Sequence, residues 1–293
     1  MKLKTIFLTL LITFCISSFA QETEIKKVQF SENFQSKIDV VYTTVNDWDG
    51  RIDLYYNTSS SEPTPIVLHI HGGGWNHGTK ESQSGFSSYF KAGFAVANVE
   101  YRLVDVGVAP AAIEDIRCAL RYIKLHAKEL NINPDKVVIQ GSSAGAHLAL
   151  MGGLLENDKQ FDGNYKGETD MRVAAIISNY APTDFTGLNS EMIKNNSLNR
   201  WLAEKANDKA FRASVSPVSH VKKTSPPVFI VHGNADPIVP YEQSVILHKK
   251  LNLAGVHNEF ITVEGGKHGG FESEKREEIS KALNNFLKKI NVL

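Results

Sequence analysis

The chain has 293 residues, with 32 basic and 32 acidic side chains, 42% hydrophobic residues, 9% aromatic residues and two cysteines. That length and apolar content exclude a disordered chain, a collagen and a coiled coil, and leave one large domain or two small ones with a real core. The balanced charge, with no basic run, excludes a nucleic-acid protein, because phosphate binding requires clustered Lys and Arg.

Residues 1–20 read as an address. Lys2 and Lys4 form a positive start, Ile6 to Ile16 is an apolar run of eleven residues, and Ser18 and Ala20 are small residues where a signal peptidase reads. The expected cut follows Ala20, leaving 21–293 as a single domain. Eleven residues are too few to cross a hydrocarbon core of about 30 Å, so the expectation is soluble export to the periplasm or beyond, without membrane insertion. Phe14 before Cys15 argues against lipid attachment. The mature chain then carries 30 basic against 32 acidic residues and one thiol, Cys118, with no disulfide to form.

Two strand-like pieces follow, Val40 to Val45 and Arg51 to Tyr56. Short β-branched runs then appear at Ile66 to Ile70, Phe94 to Val99, Lys136 to Gln140, Val173 to Ser178, Val228 to Val231 and Glu259 to Val263. Helical spacing fills the gaps at Ala109 to Glu129, Ala144 to Leu155 and Tyr241 to Leu253, and Glu272 to Leu287 closes the chain. Strand and helix in alternation specify a mostly parallel sheet with helices on both faces. Cys118 sits within the first of these helical runs and reads as a small core residue. Residues 184–215 interrupt the rhythm with polar sequence that carries Phe185, Leu188, Trp201, Leu202 and Phe211. They are either a small cap or pocket wall, or an ordinary crossover helix.

The chemistry concentrates at strand ends. Gly141-Ser142-Ser143-Ala144-Gly145 lies between a strand and a helix, the context in which a G-x-S-x-G pentapeptide holds a nucleophilic serine in a tight, strained turn. A serine hydroxyl needs a base, and the base needs a carboxylate to orient it. On this architecture both follow in the chain: Asp236 after Val228 to Val231, and His268 in the glycine-rich loop after Glu259 to Val263. His232, close to Asp236, and His147, one turn after Ser143, are the competitors for the base. Upstream, Ile66 to Ile70 runs into His71-Gly72-Gly73-Gly74-Trp75. Glycines there free the backbone to turn N–H groups inward, so Gly73, Gly74 and Ala144 are the expected oxyanion donors. Trp75 and His147 are candidates for the substrate-binding wall.

Gly73 to Lys80 approximates a nucleotide-binding loop, but its Lys and Thr are transposed and the reading fails. His69 and His71 alternate on a strand without a third ligand, so no metal and no cofactor are expected.

At HGGGW (71–75), EYRL (100–103), GSSAGAH (141–147), HGNADPIVPYEQS (232–244) and GGKHGG (265–270), the chain resembles the hormone-sensitive-lipase-like branch of the α/β-hydrolase fold. Within that fold it more closely resembles exported bacterial carboxylesterases of the feruloyl and acetyl-xylan esterase type. The resemblance spans roughly residues 60–290 and implies Ser143 as nucleophile, His268 as base, Asp236 as orienting acid and the glycine loop as oxyanion hole, with Glu100, Tyr101 and Arg102 as scaffold. It implies a carboxylesterase acting on short acyl or cinnamoyl esters, free or linked to plant polysaccharide. A serine peptidase, an amidase or an arylformamidase on the same fold is the alternative. Ser142 stands where that family usually has Asp, and only about 45 mature residues precede the strand leading into HGGGW, which favours a small, open acyl pocket.

Overall fold

The computed structural model describes residues 28–163, 167–187 and 197–293. The expected signal peptide lies outside the described residues, as does Leu188 of the interrupting segment. An eight-stranded sheet runs β1 (Gln35–Val45), β2 (Trp48–Tyr56), β3 (Thr64–Ile70), β4 (Ala95–Val99), β5 (Ile132–Ser142), β6 (Ala175–Asn179), β7 (Val228–Gly233) and β8 (Asn258–Val263). Its spatial order is β1-β2-β4-β3-β5-β6-β7-β8. β1 pairs antiparallel with β2 and β2 antiparallel with β4, while every later pairing is parallel.

Side chains alternate across a strand, so each inner strand supplies two cores. Ile66, Leu68 and Ile70 of β3 and Val228 and Ile230 of β7 face one core. That core is closed by α2 (Ala111–Leu125), α3 (Ala144–Leu154) and α6 (Glu242–Ala254). Val67 of β3 and Phe229 and Val231 of β7 face the other, closed by Phe90 of α1 (Ser87–Lys91) and by Phe286 and Leu287 of α7 (Ser273–Lys289). Burial on both faces explains why these strands read as unbroken apolar runs.

Helix α2 is shorter at both ends than its periodicity, since Pro110 stands at its N-cap and His126 at its C-cap. Cys118 is buried on it, and burial pushes its thiol up to about 11, so it stays protonated at neutral pH. The described part of the interrupting segment contains two short helices, α4 (Ser197–Leu202) and α5 (Lys209–Ser214). Phe185, Trp201 and Leu202 are fully buried, and the Ala109 N–H donates to the Trp201 carbonyl at 2.8 Å. The described part of this segment is therefore docked wall. Among the described residues no helix is long and apolar enough to cross a membrane.

Candidate active site

Strand order reverses at β3: the chain passes from β3 to β4 on one side and returns to β5 on the other. Crevices form at the carboxyl ends of strands flanking such a reversal. Here that crevice is a cavity of about 550 Å³, lined by residues 72–75 after β3, Ser143 and Ala144 after β5, Tyr180 and Pro182 after β6, residues 238–240 after β7 and His268 after β8.

Ser143 has φ 55° and ψ −122°, a region that costs a non-glycine residue on the order of 1–3 kcal/mol. The turn is compressed enough that a Cβ on Gly141 would lie 2.2 Å from the Gly145 backbone, and one on Gly145 would lie 2.3 Å from the Ile70 carbonyl oxygen. The Ser143 N–H donates to the Asn179 carbonyl at 2.9 Å, and the Ser143 carbonyl accepts from the His147 N–H at 3.0 Å. Strand on one side and helix on the other thus hold the strain.

The structure brings Ser143, His268 and Asp236 together. His268 Nε2 lies 2.9 Å from Ser143 Oγ, and His268 Nδ1 donates to Asp236 Oδ2 at 2.6 Å. The Asp236 side chain is fully buried and that of His268 is 16% exposed. Burial raises the Asp236 pKa, but the His268 hydrogen bond and the N–H groups of Ile238 and Val239, at 2.8 and 3.0 Å from Oδ1, outweigh it and hold the carboxyl below its usual range. Asp236 is therefore ionised at neutral pH.

His232 does not reach Ser143's partner position. It is buried behind Asp236, where its Nε2 donates to Asp236 Oδ2 and the Val239 carbonyl, both at 3.1 Å, and its Nδ1 accepts from Ser244 Oγ at 2.7 Å. Burial, opposed by Val239 and Asp236, lowers its pKa and keeps it neutral. The carboxylate thus receives two imidazole N–H bonds on one oxygen and two amides on the other. Tyr180, at the end of β6, meets the His268 ring edge-on with 4.7 Å between centroids. Sequence reasoning missed this contact; its only signal was an aromatic residue directly after a parallel strand.

Gly73 and Gly74 have φ of +118° and +56°, and a Cβ on Gly73 would fall 1.9 Å from the His77 carbonyl oxygen. The Gly73 carbonyl accepts from the N–H groups of Asn76 and His77 at 3.0 and 3.1 Å, which closes the loop on itself. Lys80 anchors the far end of this loop. Only 1% exposed, it pairs with Asp39 at 2.7 Å, Asp53 at 2.9 Å and Glu81 at 2.6 Å. The lysine of the nucleotide-loop near miss is thereby accounted for as a support that pins the β1–β2 hairpin to the glycine loop.

Trp75 lines the cavity and stacks on Trp201 with centroids 4.6 Å apart. His147 does not line it. The expectation of a substrate-contacting imidazole is corrected: His147 is fully buried behind Trp75, 5.2 Å between centroids, and its Nε2 donates to the Val215 carbonyl at 2.9 Å. A residue on the first turn of α3 points into packing because α3 is buried at every position. His71 is likewise buried and His69 half-buried, and burial lowers both of their pKa values. Among the described residues, no cluster of His, Cys, Asp and Glu is placed to hold a metal ion.

A family model described as BD-FAE matches residues 52–251. The chain is 33% identical over 187 residues to LipM of Mycobacterium tuberculosis, named as a probable carboxylic ester hydrolase, covering 61% of this chain and 43% of that protein. The chain spans about half the length of the curated relatives it matches. Among solved structures, a truncated carbohydrate esterase from gut microbiota superposes with a TM-score of 0.79 at 25% identity, covering 91% of this chain and all of that one. An acetyl ester-xyloside bifunctional hydrolase from Caldicellulosiruptor lactoaceticus gives a TM-score of 0.71 at 26% identity, covering 85% and 90%.

Proposed function

The chain belongs to the BD-FAE family of α/β hydrolases, and from that premise we propose that it is a serine carboxylesterase. The observation that carries the reading is the continuous hydrogen-bonded path from Ser143 through His268 to Asp236, opening on a cavity walled by the glycine loop. His268 Nε2 takes the Ser143 proton as Oγ attacks the ester carbonyl. The tetrahedral oxyanion accepts from the N–H groups of Gly73, Gly74 and Ala144, whose backbones are already fixed, so little reorganisation opposes the charge that develops. His268 then protonates the leaving alkoxide. In the second half, it removes a proton from water, which attacks the acyl-enzyme and releases the carboxylic acid and free Ser143. Ionised Asp236 holds the Nδ1–H tautomer throughout and stabilises the imidazolium.

The substrates in this reading are short acyl or cinnamoyl esters. The cavity walls support that class: Pro182, Phe185, Leu198, Ile238, Val239 and Pro240 offer an apolar surface of a size suited to one small acyl group or one aromatic ring. The leader-like first twenty residues support export, where esters on plant polysaccharide are accessible. The carbohydrate-esterase and acetyl ester-xyloside neighbours support the same substrate class.

The test is hydrolysis of p-nitrophenyl acetate, butanoate and decanoate, methyl ferulate, acetylated xylan and an aminoacyl anilide by the wild type and by Ser143→Ala. Short or cinnamoyl esters should be cleaved fastest, and the substitution should abolish it. Activity surviving in Ser143→Ala removes Ser143 from its role, and anilide cleavage outrunning every ester makes the chain an amidase.

A further inference from the structure

Gln243, near the start of α6, lines the cavity and is only 9% exposed. Its Oε1 is committed: it lies 2.7 Å from the Thr183 N–H, 2.8 Å from the Asp184 N–H and 3.4 Å from Thr183 Oγ1, which also donates to the Gln243 carbonyl at 2.6 Å. Backbone N–H groups only donate, so the atom they meet is the amide oxygen and the orientation of the amide is settled by chemistry. The other end is then the Nε2 group with two N–H donors. Among the described residues those donors have no protein partner, and Nε2 is not sealed from solvent. The lining nearest in sequence to both ends of this contact, Pro182, Phe185, Val239 and Pro240, presents no side-chain acceptor. A nearly buried amide is therefore clamped by its oxygen, with its two donors uncommitted beside the apolar part of the lining.

We propose that Gln243 is a substrate-binding residue whose Nε2 donates to an acceptor oxygen carried by the ester, an ether or hydroxyl oxygen in its acyl or alcohol part beyond the scissile group. This rests on the esterase reading of the same cavity. An alkyl group that reaches Nε2 displaces water and returns no hydrogen bond, whereas an ether oxygen of the same size returns one. The clamp on Oε1 means that the donors need no reorientation when substrate arrives. A site with a fixed donor discriminates against analogues lacking the acceptor because its own polar group is left unpaired. The enzyme so built prefers oxygenated esters over alkyl esters of equal shape.

The experiment uses ester pairs that exchange one CH₂ for oxygen. Methoxyacetate against butanoate p-nitrophenyl esters and methyl 4-methoxycinnamate against methyl 4-ethylcinnamate place the oxygen in the acyl part; 2-methoxyethyl acetate against butyl acetate places it in the alcohol. Each kcat/KM ratio is divided by the ratio for hydroxide-catalysed hydrolysis, which removes intrinsic reactivity. The wild type should favour the oxygenated member of one pair about tenfold, the scale of one neutral hydrogen bond, and the pair that responds tells which side of the ester meets Gln243. Gln243→Glu keeps an oxygen on the Thr183 and Asp184 amides but removes the donors, and should abolish that preference. A wild type with no corrected preference above about twofold in any pair, or a preference that persists in Gln243→Glu, overturns the proposal while the esterase reading stands. The wild-type arm decides the matter even where the variant fails to fold. A wild type inactive on every ester overturns both.

Discussion

Asp236 and Asp162 are both carboxylates drawn out of water, and their partners differ in kind. Asp162 lies between α3 and β6 and pairs with Arg117, which is fully buried, and with Arg121. Arg117 also donates to the carbonyls of Glu156 at 2.9 Å and Asp158 at 2.8 Å. A guanidinium is charged at every accessible pH, so this cluster is fixed. Asp236 has no cation beside it. Its partners are two backbone amides and two imidazoles, one of which touches Ser143. A carboxylate facing an imidazole gains a counter-charge only when that imidazole takes a proton, which is the moment the proposed reaction demands it. The chain uses permanent charge for scaffold and conditional charge for chemistry.

The strongest way to break this comparison is at Ser143. Ser143→Ala should lower kcat by about 10⁶-fold, the scale for losing the nucleophile of such a triad, with an unchanged melting temperature by calorimetry. Next, Asp236→Asn should lower kcat about 10⁴-fold at pH 7, because an amide can present N–H₂ to His268 Nδ1 and stabilise the wrong tautomer. A loss below tenfold in stopped-flow acylation would show that Asp236 does not orient the base.

The Asp162 cluster should respond oppositely. Arg117→Met leaves Asp162 with Arg121 alone and takes the buried donor from the Glu156 and Asp158 carbonyls; it should reduce unfolding free energy in urea by about 3–5 kcal/mol, while kcat/KM measured in the absence of urea stays within about twofold. The two clusters would prove to be one functional unit if kcat/KM fell in step with stability.

The smallest expected effect concerns His147, a buried titratable group that belongs to neither cluster. Burial lowers its pKa to about 4, against an ordinary 6.5, and the Val215 carbonyl offsets this only in part. Between those values the unfolded chain takes up a proton that the folded chain refuses. Stability is therefore insensitive to His147 above pH 6.5 and declines as pH falls toward 4. His147→Gln should be less stable at pH 7 yet lose about 2 kcal/mol less than the wild type between pH 7 and pH 5, read from urea midpoints. An identical pH dependence in the two proteins would mean that His147 titrates normally.

Local pattern carried much of this architecture. The eight strands and the four long helices were legible because each follows from a period within its own segment, and because α3 must start where Gly141 to Gly145 allow the turn. The short helices α1, α4 and α5 were not legible, since helices of five or six residues hold only through what they dock against. In the site, Ser143, Asp236 and His268 could be read as strand-end residues in the required order. The place of His147 could not, because a helical position tells which way a side chain leaves the helix and not what waits there.

By itself, then, the sequence determined the alternation of strands and helices, the strained serine turn, and the presence of an acid and an imidazole on later loops. Only the tertiary structure decided that His232 donates to the oxygen that His268 uses, that Tyr180 packs on that ring, that Lys80 braces the glycine loop, and that the Thr183 and Asp184 N–H groups hold the amide oxygen of Gln243. The physical reason is the range of the interactions. Periodicity and turn chemistry act over a few neighbouring residues, whereas each of these contacts joins groups on different strand ends or loops and exists only once the sheet has set their separation.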